Sequence, residues 1–213
     1  MIIDVFQDTV CPWCRIGKKH LKLALEQWTQ TNSEPITLNY RTFFLNPSIP
    51  SEGAPFREYM LAKGGGRIAL EDFFEGPRRA GAAVGLTFNF EQITRAPNSL
   101  RSHTLIAIAP EPLKEEVIDA LYAAYFEFGR DIGDEAVLLE IAEACGLDRD
   151  AAAVAIHDPA LHQQLLGEAD QAHALGITGV PFFVFDNTFA MSGAQPPQVF
   201  LRALDQVVQF RVK

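Results

Sequence analysis

The sequence predicts an α/β fold in which a β-α-β unit near the N-terminus and a β-β-α unit near the C-terminus flank a large all-helical insertion. Three observations predict it. A short apolar run, Ile2 to Phe6, passes directly into a helical pattern that starts near Ile16. A continuous β-prone run returns only at Phe182-Phe183-Val184-Phe185. Between about residues 50 and 176 the strand signal nearly vanishes, and apolar positions recur at helical spacing instead. With 213 residues and 48% hydrophobic content, the chain is long and apolar enough to bury one substantial core.

Taken in order, Ile2-Ile3-Asp4-Val5-Phe6 reads as a buried strand, and Gln7 to Val10 as a short loop. Leu21, Ala24, Leu25 and Trp28 then share one helical face, and Thr29 to Pro35 is polar and turn-like. Ile36 to Arg41 alternates apolar with polar as a half-exposed strand does, continues into Phe43-Phe44-Leu45, and stops at Asn46-Pro47. Parallel strands joined by a right-handed crossover are the expected geometry. Phe56 to Lys63 reads as a helix broken at Gly64-Gly65-Gly66, and a further helical pattern from Arg67 is interrupted near Gly76-Pro77. The triple glycine lacks the lysine-serine or lysine-threonine ending of a phosphate loop and reads as a flexible break.

Asn98 to Ala109 continues the helical reading, and Glu115 to Phe128 places Val117, Leu121, Tyr125 and Phe128 on one face, with Gly129 just beyond the end. Asp134 caps a helix bearing Val137, Leu138, Ile141 and Cys145, closed by Gly146. Cys145 lies on that apolar stripe and reads as a buried structural thiol. Asp158-Pro159 opens a helix with Leu161, Leu165, Ala169 and Ala172 that ends at Gly176. Asp186-Asn187 turns the strand Phe182 to Phe185 back into a partner, Thr188 to Met191. The last helix begins near Pro196-Pro197 and buries Val199, Phe200, Ala203, Leu204 and Val207.

The chemistry-bearing stretch is Cys11-Pro12-Trp13-Cys14, where the first strand gives way to the first helix. Positions i and i+3 on a first helical turn share a face, so two sulfurs there can approach disulfide distance without moving the backbone. The helix edge also offers unpaired N–H groups and the positive end of the dipole, which favour thiolate. Cys11 is therefore expected to attack, and Cys14, one turn inside and less exposed, to resolve the mixed disulfide. Pro12 suits a first turn that needs no donor, and Trp13 would shield one side of the sulfurs. A Cys-x-x-Cys pair is also half of a structural zinc site, but the remaining cysteine is Cys145, and no histidine stands beside it at knuckle spacing. No metal is expected.

Charge and targeting signals narrow the partners. A net charge of −9, from 18 Lys and Arg against 27 Asp and Glu, argues against nucleic acid or an anionic membrane. No apolar run approaches the roughly 20 residues that span a bilayer. Met1-Ile2-Ile3-Asp4 does not begin a signal peptide, so the expectation is a cytoplasmic enzyme.

The chain resembles the DsbA-like thioredoxin-fold family, and within it the FrnE-like branch of non-secreted members. Asp8, Cys11 to Cys14 and Ile16-Gly17-Lys18 match one family pattern. Gly176-Ile177-Thr178-Gly179-Val180-Pro181-Phe182-Phe183-Val184, followed by Ser192-Gly193-Ala194-Gln195, matches a second. The resemblance covers essentially the whole chain. It implies a thioredoxin-like domain made of residues 1–50 and 177–213, with the helical insertion at 51–176. It further implies a cis Val180-Pro181 bond packed against the cysteines, with the Val180 backbone pairing a bound substrate peptide. Asn98 and His103 resemble an Asn-x-x-x-x-His pattern whose helix faces the site in related proteins.

The implied activity is protein-disulfide oxidoreduction through Cys11 and Cys14, without a bound cofactor and with glutathione as one candidate redox partner. The substrate is a disulfide- or thiol-bearing protein or small molecule, and a homodimer is compatible with the resemblance. Hydroxychromene-carboxylate isomerases and kappa-type glutathione transferases are similar in fold and supply the rival reading, but they use a serine in place of the first cysteine. A non-catalytic binder of the same fold is the third. Three departures stand out: Trp13 where periplasmic relatives carry histidine, no second C-terminal cysteine pair, and Val5 where thioredoxins bury an acid. Asp8 is the nearest substitute for that acid.

Overall fold

The computed structural model describes residues 1–64 and 70–211. Its elements in chain order are β1 (Ile2–Gln7), α1 (Pro12–Trp28), β2 (Thr37–Thr42), β3 (Ala54–Pro55), α2 (Phe56–Lys63) and α3 (Leu70–Ala82). A 3₁₀ turn at Phe90–Gln92 precedes β4 (Arg95–Ala96), α4 (Leu100–Ile108), α5 (Glu111–Phe126), α6 (Glu135–Ala144) and α7 (Arg149–Ala155). Then come α8 (Pro159–Ala174), β5 (Phe182–Phe185), β6 (Phe189–Ser192) and α9 (Pro197–Arg211).

The main sheet has the order β2-β1-β5-β6. β1 pairs β2 in parallel, with Val5 opposite Tyr40, and pairs β5 antiparallel, with Val5 opposite Phe183. Side chains alternate across the sheet, so each face has its own cover. Ile3, Val5, Phe183 and Phe185 bury against Leu21, Ala24 and Trp28 of α1 and Phe200, Leu204 and Val207 of α9. Phe6, with the partly buried Phe182 and Val184, meets Phe43, Ile177 and Ala172 of α8 on the other face. Asp186 and Asn187 carry φ of 47° and 55°, the left-handed pair that a tight hairpin requires. The largest apolar cluster lies among the helices between β2 and β5, and it reaches Cys11, Cys14 and Ile16 of the first unit.

Several local readings need correction. α3 continues through Pro77 rather than breaking there, and Phe74 and Pro77 are buried on its inner side. Packing of that face outweighs the bond that proline removes. α5 starts at Glu111 and ends at Phe126, so Phe128 falls beyond the helix and is 64% exposed rather than on the apolar stripe. Asn98 and Ser99 precede α4 instead of belonging to it. The antiparallel pair β3-β4 and the short helix α7 were not anticipated; β3 and β4 have two residues each, too few to show a period. Gly65, Gly66 and the proposed helix start at Arg67 lie outside the described residues.

Candidate functional site

Cys11 occupies the N-cap of α1 with extended backbone, φ −98° and ψ 110°. Its carbonyl accepts the first helical bonds, from Cys14 at 3.1 Å and Arg15 at 3.4 Å, while Pro12 takes a first-turn position where no donor is missed. The Cys14 amide also donates to the Cys11 sulfur at 3.3 Å. Thus the sequence order Cys-Pro-Trp-Cys makes a cysteine do what serine or aspartate does at other helix starts. Both thiols are free.

The expected contrast in exposure is small. Cys11 is 4% exposed and Cys14 2%, because the helices between β2 and β5 cover the turn. The environments differ instead. Burial pushes the Cys14 thiol well above the ordinary range, the neighbouring Cys11 adds to the rise, and the Asp8 backbone amide opposes it. Trp13 between them is 41% exposed and edges the opening of the site.

The Val180-Pro181 peptide is cis. The Cys11 thiol donates to the Val180 carbonyl at 3.6 Å, which brings this loop against the cysteines. Behind it, Gly17 of α1 allows the close approach: an added Cβ there would lie 2.9 Å from Pro181 Cγ and 3.2 Å from the Phe183 ring.

In front of Cys11 lies a cavity of about 290 Å³. Cys11, Pro12, Trp13 and Val180 form one side of it, and α2, α3 and α5 supply Phe56, Phe74, Tyr125 and Phe126 on the other. Phe56, Phe74 and Phe90 pack side by side along its wall, with Phe56–Phe74 and Phe74–Phe90 centroids 5.8 and 4.5 Å apart, and Phe88 stacks behind Phe90 at 5.5 Å.

Behind the cysteines the molecule is polar. Asp8 is fully buried, and its carboxylate accepts the Leu45 amide at 2.8 Å and the Val10 amide at 3.4 Å, with His103 Nε2 at 3.3 Å. Thr9 and Ser102 share a hydrogen bond of 2.7 Å, and the Tyr122 hydroxyl donates to Gln7. Burial, and after it the nearby sulfurs and Asp8, push the Tyr122 phenol well up, so it stays a neutral donor. Val5 itself sits in the apolar sheet core, and Asp8 brings a buried acid to the back of the turn.

Asn98 and His103 therefore do not sit where a substrate surface was expected. The Asn98 amide donates to the Ile49 carbonyl at 2.7 Å and its oxygen accepts from Leu100, a clamp on the start of α4. His103 is 2% exposed and packs edge-on against Phe44, with Asp8 on its Nε2 side. Neither lines the cavity in front of Cys11. Cys145 is buried at the end of α6, and burial raises its thiol too. Sequence reasoning missed Gln7, Thr9, Ser102 and Tyr122, and the aromatic lining apart from Trp13. A local signal for the lining existed in the adjacent aromatic pair Tyr125-Phe126 of α5 and the aromatic-rich stretch Phe73 to Phe90.

The chain belongs to the DsbA-like thioredoxin domain family, whose match spans residues 2–205. It is similar to a probable DsbA oxidoreductase, SCO1869, from Streptomyces coelicolor: 30% identity, 97% of this chain, 89% of that one, TM-score 0.86. A 2-hydroxychromene-2-carboxylate isomerase shares the fold at TM-score 0.74 and 15% identity, over 100% of this chain and 98% of that one. So does the cytosolic disulfide reductase DsbM from Pseudomonas aeruginosa, solved with glutathione: TM-score 0.68, 18% identity, 98% of this chain and 100% of that one.

Proposed function

We propose that this protein is a thiol-disulfide oxidoreductase in which Cys11 attacks and Cys14 resolves. The observation that carries this reading is the placement of Cys11: helix N-cap, sulfur facing the Cys14 amide, at the wall of a largely apolar cavity of about 290 Å³. In the forward direction the Cys11 thiolate forms a bond to one sulfur of a disulfide, and the other sulfur leaves as thiolate and takes up a proton. Cys14 then loses its proton and attacks the Cys11 sulfur, closing Cys11-Cys14 and releasing the second thiol. The substrate gains two electrons, and a dithiol reductant returns the protein to its starting state.

Family membership supports the class of reaction, and the second thiol supports it over isomerisation, because Cys14 has a part only in disulfide chemistry. The reading needs no bound cofactor. Cytoplasmic residence goes with this reading, because a reducing compartment keeps such a dithiol ready.

The test is insulin reduction by the parent protein, Cys14→Ala and Cys11→Ser, with non-reducing gels to find trapped adducts. Cys14→Ala should accumulate a mixed disulfide on Cys11, and Cys11→Ser should lose activity. A glutathione-dependent isomerase would retain activity in Cys11→Ser and trap nothing in Cys14→Ala. Full activity in Cys11→Ser, or no exchange by the parent with any disulfide, overturns the proposal.

A further inference from the structure

The cavity beside Cys11 discriminates among disulfides by chemistry. Among the described residues lining it, Lys63 is the one charged side chain, and it is exposed at the rim with its ammonium 5.8 Å from the Tyr59 ring. The two tyrosine hydroxyls of the lining already have protein partners: Tyr59 takes the Asn46 amide at 3.4 Å, and Tyr125 donates to the Arg95 carbonyl at 3.3 Å. Most of what faces the space is ring and methyl surface, from Phe56, Phe74, Phe90, Phe126, Met60 and Ile49 among others. Among the described residues, a charged end of oxidised glutathione that entered the cavity would meet apolar walls, and a charge moved from water to an unpaired apolar site is strongly disfavoured.

Size and access narrow the occupant further. A cavity of about 150 Å³ lined by Leu, Ile and Phe holds benzene, so about 290 Å³ suits a group of one or two rings. Cys11 is 4% exposed, at the cavity wall rather than on an open surface. A disulfide held in a folded protein must approach past Trp13 at the opening, whereas a small molecule can enter the cavity whole.

We infer that the substrate is a small-molecule disulfide whose sulfur carries an apolar, ring-sized organic group, and that this group lodges between Trp13, Phe56, Phe74 and Phe126 while Cys11 attacks. This rests on the oxidoreductase reading and specifies its substrate class. The electron balance is that of the exchange described above: Cys11 and Cys14 are oxidised to the disulfide, and two molecules of an apolar thiol are released.

The experiment is single-turnover exchange by the fully reduced, full-length protein. Three disulfides are compared: a bis(arylmethyl) disulfide, oxidised glutathione and insulin. Each rate is divided by the rate of dithiothreitol with the same disulfide, which removes differences in leaving-group acidity. The arylmethyl disulfide should exceed oxidised glutathione and insulin by at least about tenfold, the range that one matched apolar group supplies in a hydrophobic pocket. Met60→Trp, which fills the cavity from its partly exposed side, should collapse that ratio toward unity, with circular dichroism confirming the fold. Normalised rates for glutathione or insulin that equal or exceed the arylmethyl rate overturn the inference and leave the oxidoreductase reading standing. Exchange with none of the three overturns both. Should Met60→Trp fail to fold, the three-substrate comparison on the parent decides alone.

Discussion

Gly17→Ala tests how tightly the first helix and the Val180-Pro181 loop are joined behind the reactive turn. A Cβ at Gly17 would meet Pro181 Cγ at 2.9 Å, Phe183 Cζ at 3.2 Å and Pro181 Cβ at 3.3 Å. Ordinary carbon contacts begin near 3.5 Å, so the loop must retreat by roughly 0.6 Å, from 2.9 to about 3.5 Å. Phe183 is fully buried against Phe200 at a centroid distance of 4.8 Å and has no room to follow. Overpacking of this kind costs about 1–3 kcal/mol, whereas Gly to Ala within a helix gains about 0.5–1 kcal/mol. The net expectation is a loss of about 1 kcal/mol. Urea unfolding under reducing conditions should show it as a midpoint lowered by roughly 0.5 M, for a slope near 2 kcal/mol/M. Retreat of the loop also lengthens the 3.6 Å contact from the Cys11 thiol to the Val180 carbonyl and widens access to the sulfur, so iodoacetamide should label Cys11 faster. A Gly17→Ala protein more stable than the parent, as helix propensity alone would give, with unchanged Cys11 labelling, would refute the reasoning.

Two further perturbations address the charges around the turn. Lys18 is buried, with Glu115 at 3.1 Å and Asp119 at 2.7 Å, but both carboxylates are partly exposed, so Glu115→Gln with Asp119→Asn should cost about 1–3 kcal/mol, less than for a fully buried pair, and adding Lys18→Met should recover most of that. Burial acts to raise the Glu115 carboxyl, but Lys18 and Lys22 outweigh it and hold it below its ordinary value; the stabilisation is therefore present above about pH 4.3 and is lost as pH falls through the lower folded value. Denaturation midpoints between pH 3 and 6 should fall less steeply in Glu115→Gln than in the parent. Asp8→Asn removes a charge that opposes the Cys14 thiolate, after the larger effects of burial and Cys11, so in a Cys11→Ser background the alkylation profile of Cys14 should move to lower pH. An unmoved profile would show that the Asp8 charge does not reach the sulfur.

Where a feature is made of neighbouring residues it was legible in advance. The Cys11 turn, the Asp134 cap on the Val137 amide, the Asp158-Pro159 helix start and the Asp186-Asn187 hairpin each rest on contacts a few residues apart, and their chemistry is written locally. Asp8 shows the opposite case. In the sequence it is a polar residue in a loop, but its partners, Leu45 and His103, lie 37 and 95 positions away, and no period in either segment announces the meeting. Asn98 and His103 follow the same rule: the resemblance brings α4 and the residues before it toward the site, but each side chain's direction is set by partners distant in sequence, Ile49 for Asn98 and Phe44 for His103. Pro77 was misread because a proline's local cost is visible in sequence, whereas the burial that offsets it depends on packing among α2, α3 and the 3₁₀ turn.

The same division explains why the two thiols are suited to different steps. A thiolate needs donors, and among the described residues lining the cavity in front of Cys11 the one charged side chain is Lys63 at the rim, so negative charge at Cys11 is met from the helix side, where the Cys14 amide points at its sulfur at 3.3 Å. Cys14 lies one turn deeper, where burial and the proximity of Cys11 hold it protonated. When Cys11 enters a mixed disulfide its charge is gone, and with it one of the contributions that keep the Cys14 proton in place. On the oxidoreductase reading, attack by Cys11 is thus what readies Cys14, and the order of the two steps follows from the polarity on either side of a single helical turn. Replacing Cys11 by serine should accordingly leave a Cys14 that alkylates at lower pH than in the intact dithiol, a difference that titration of the two proteins measures directly.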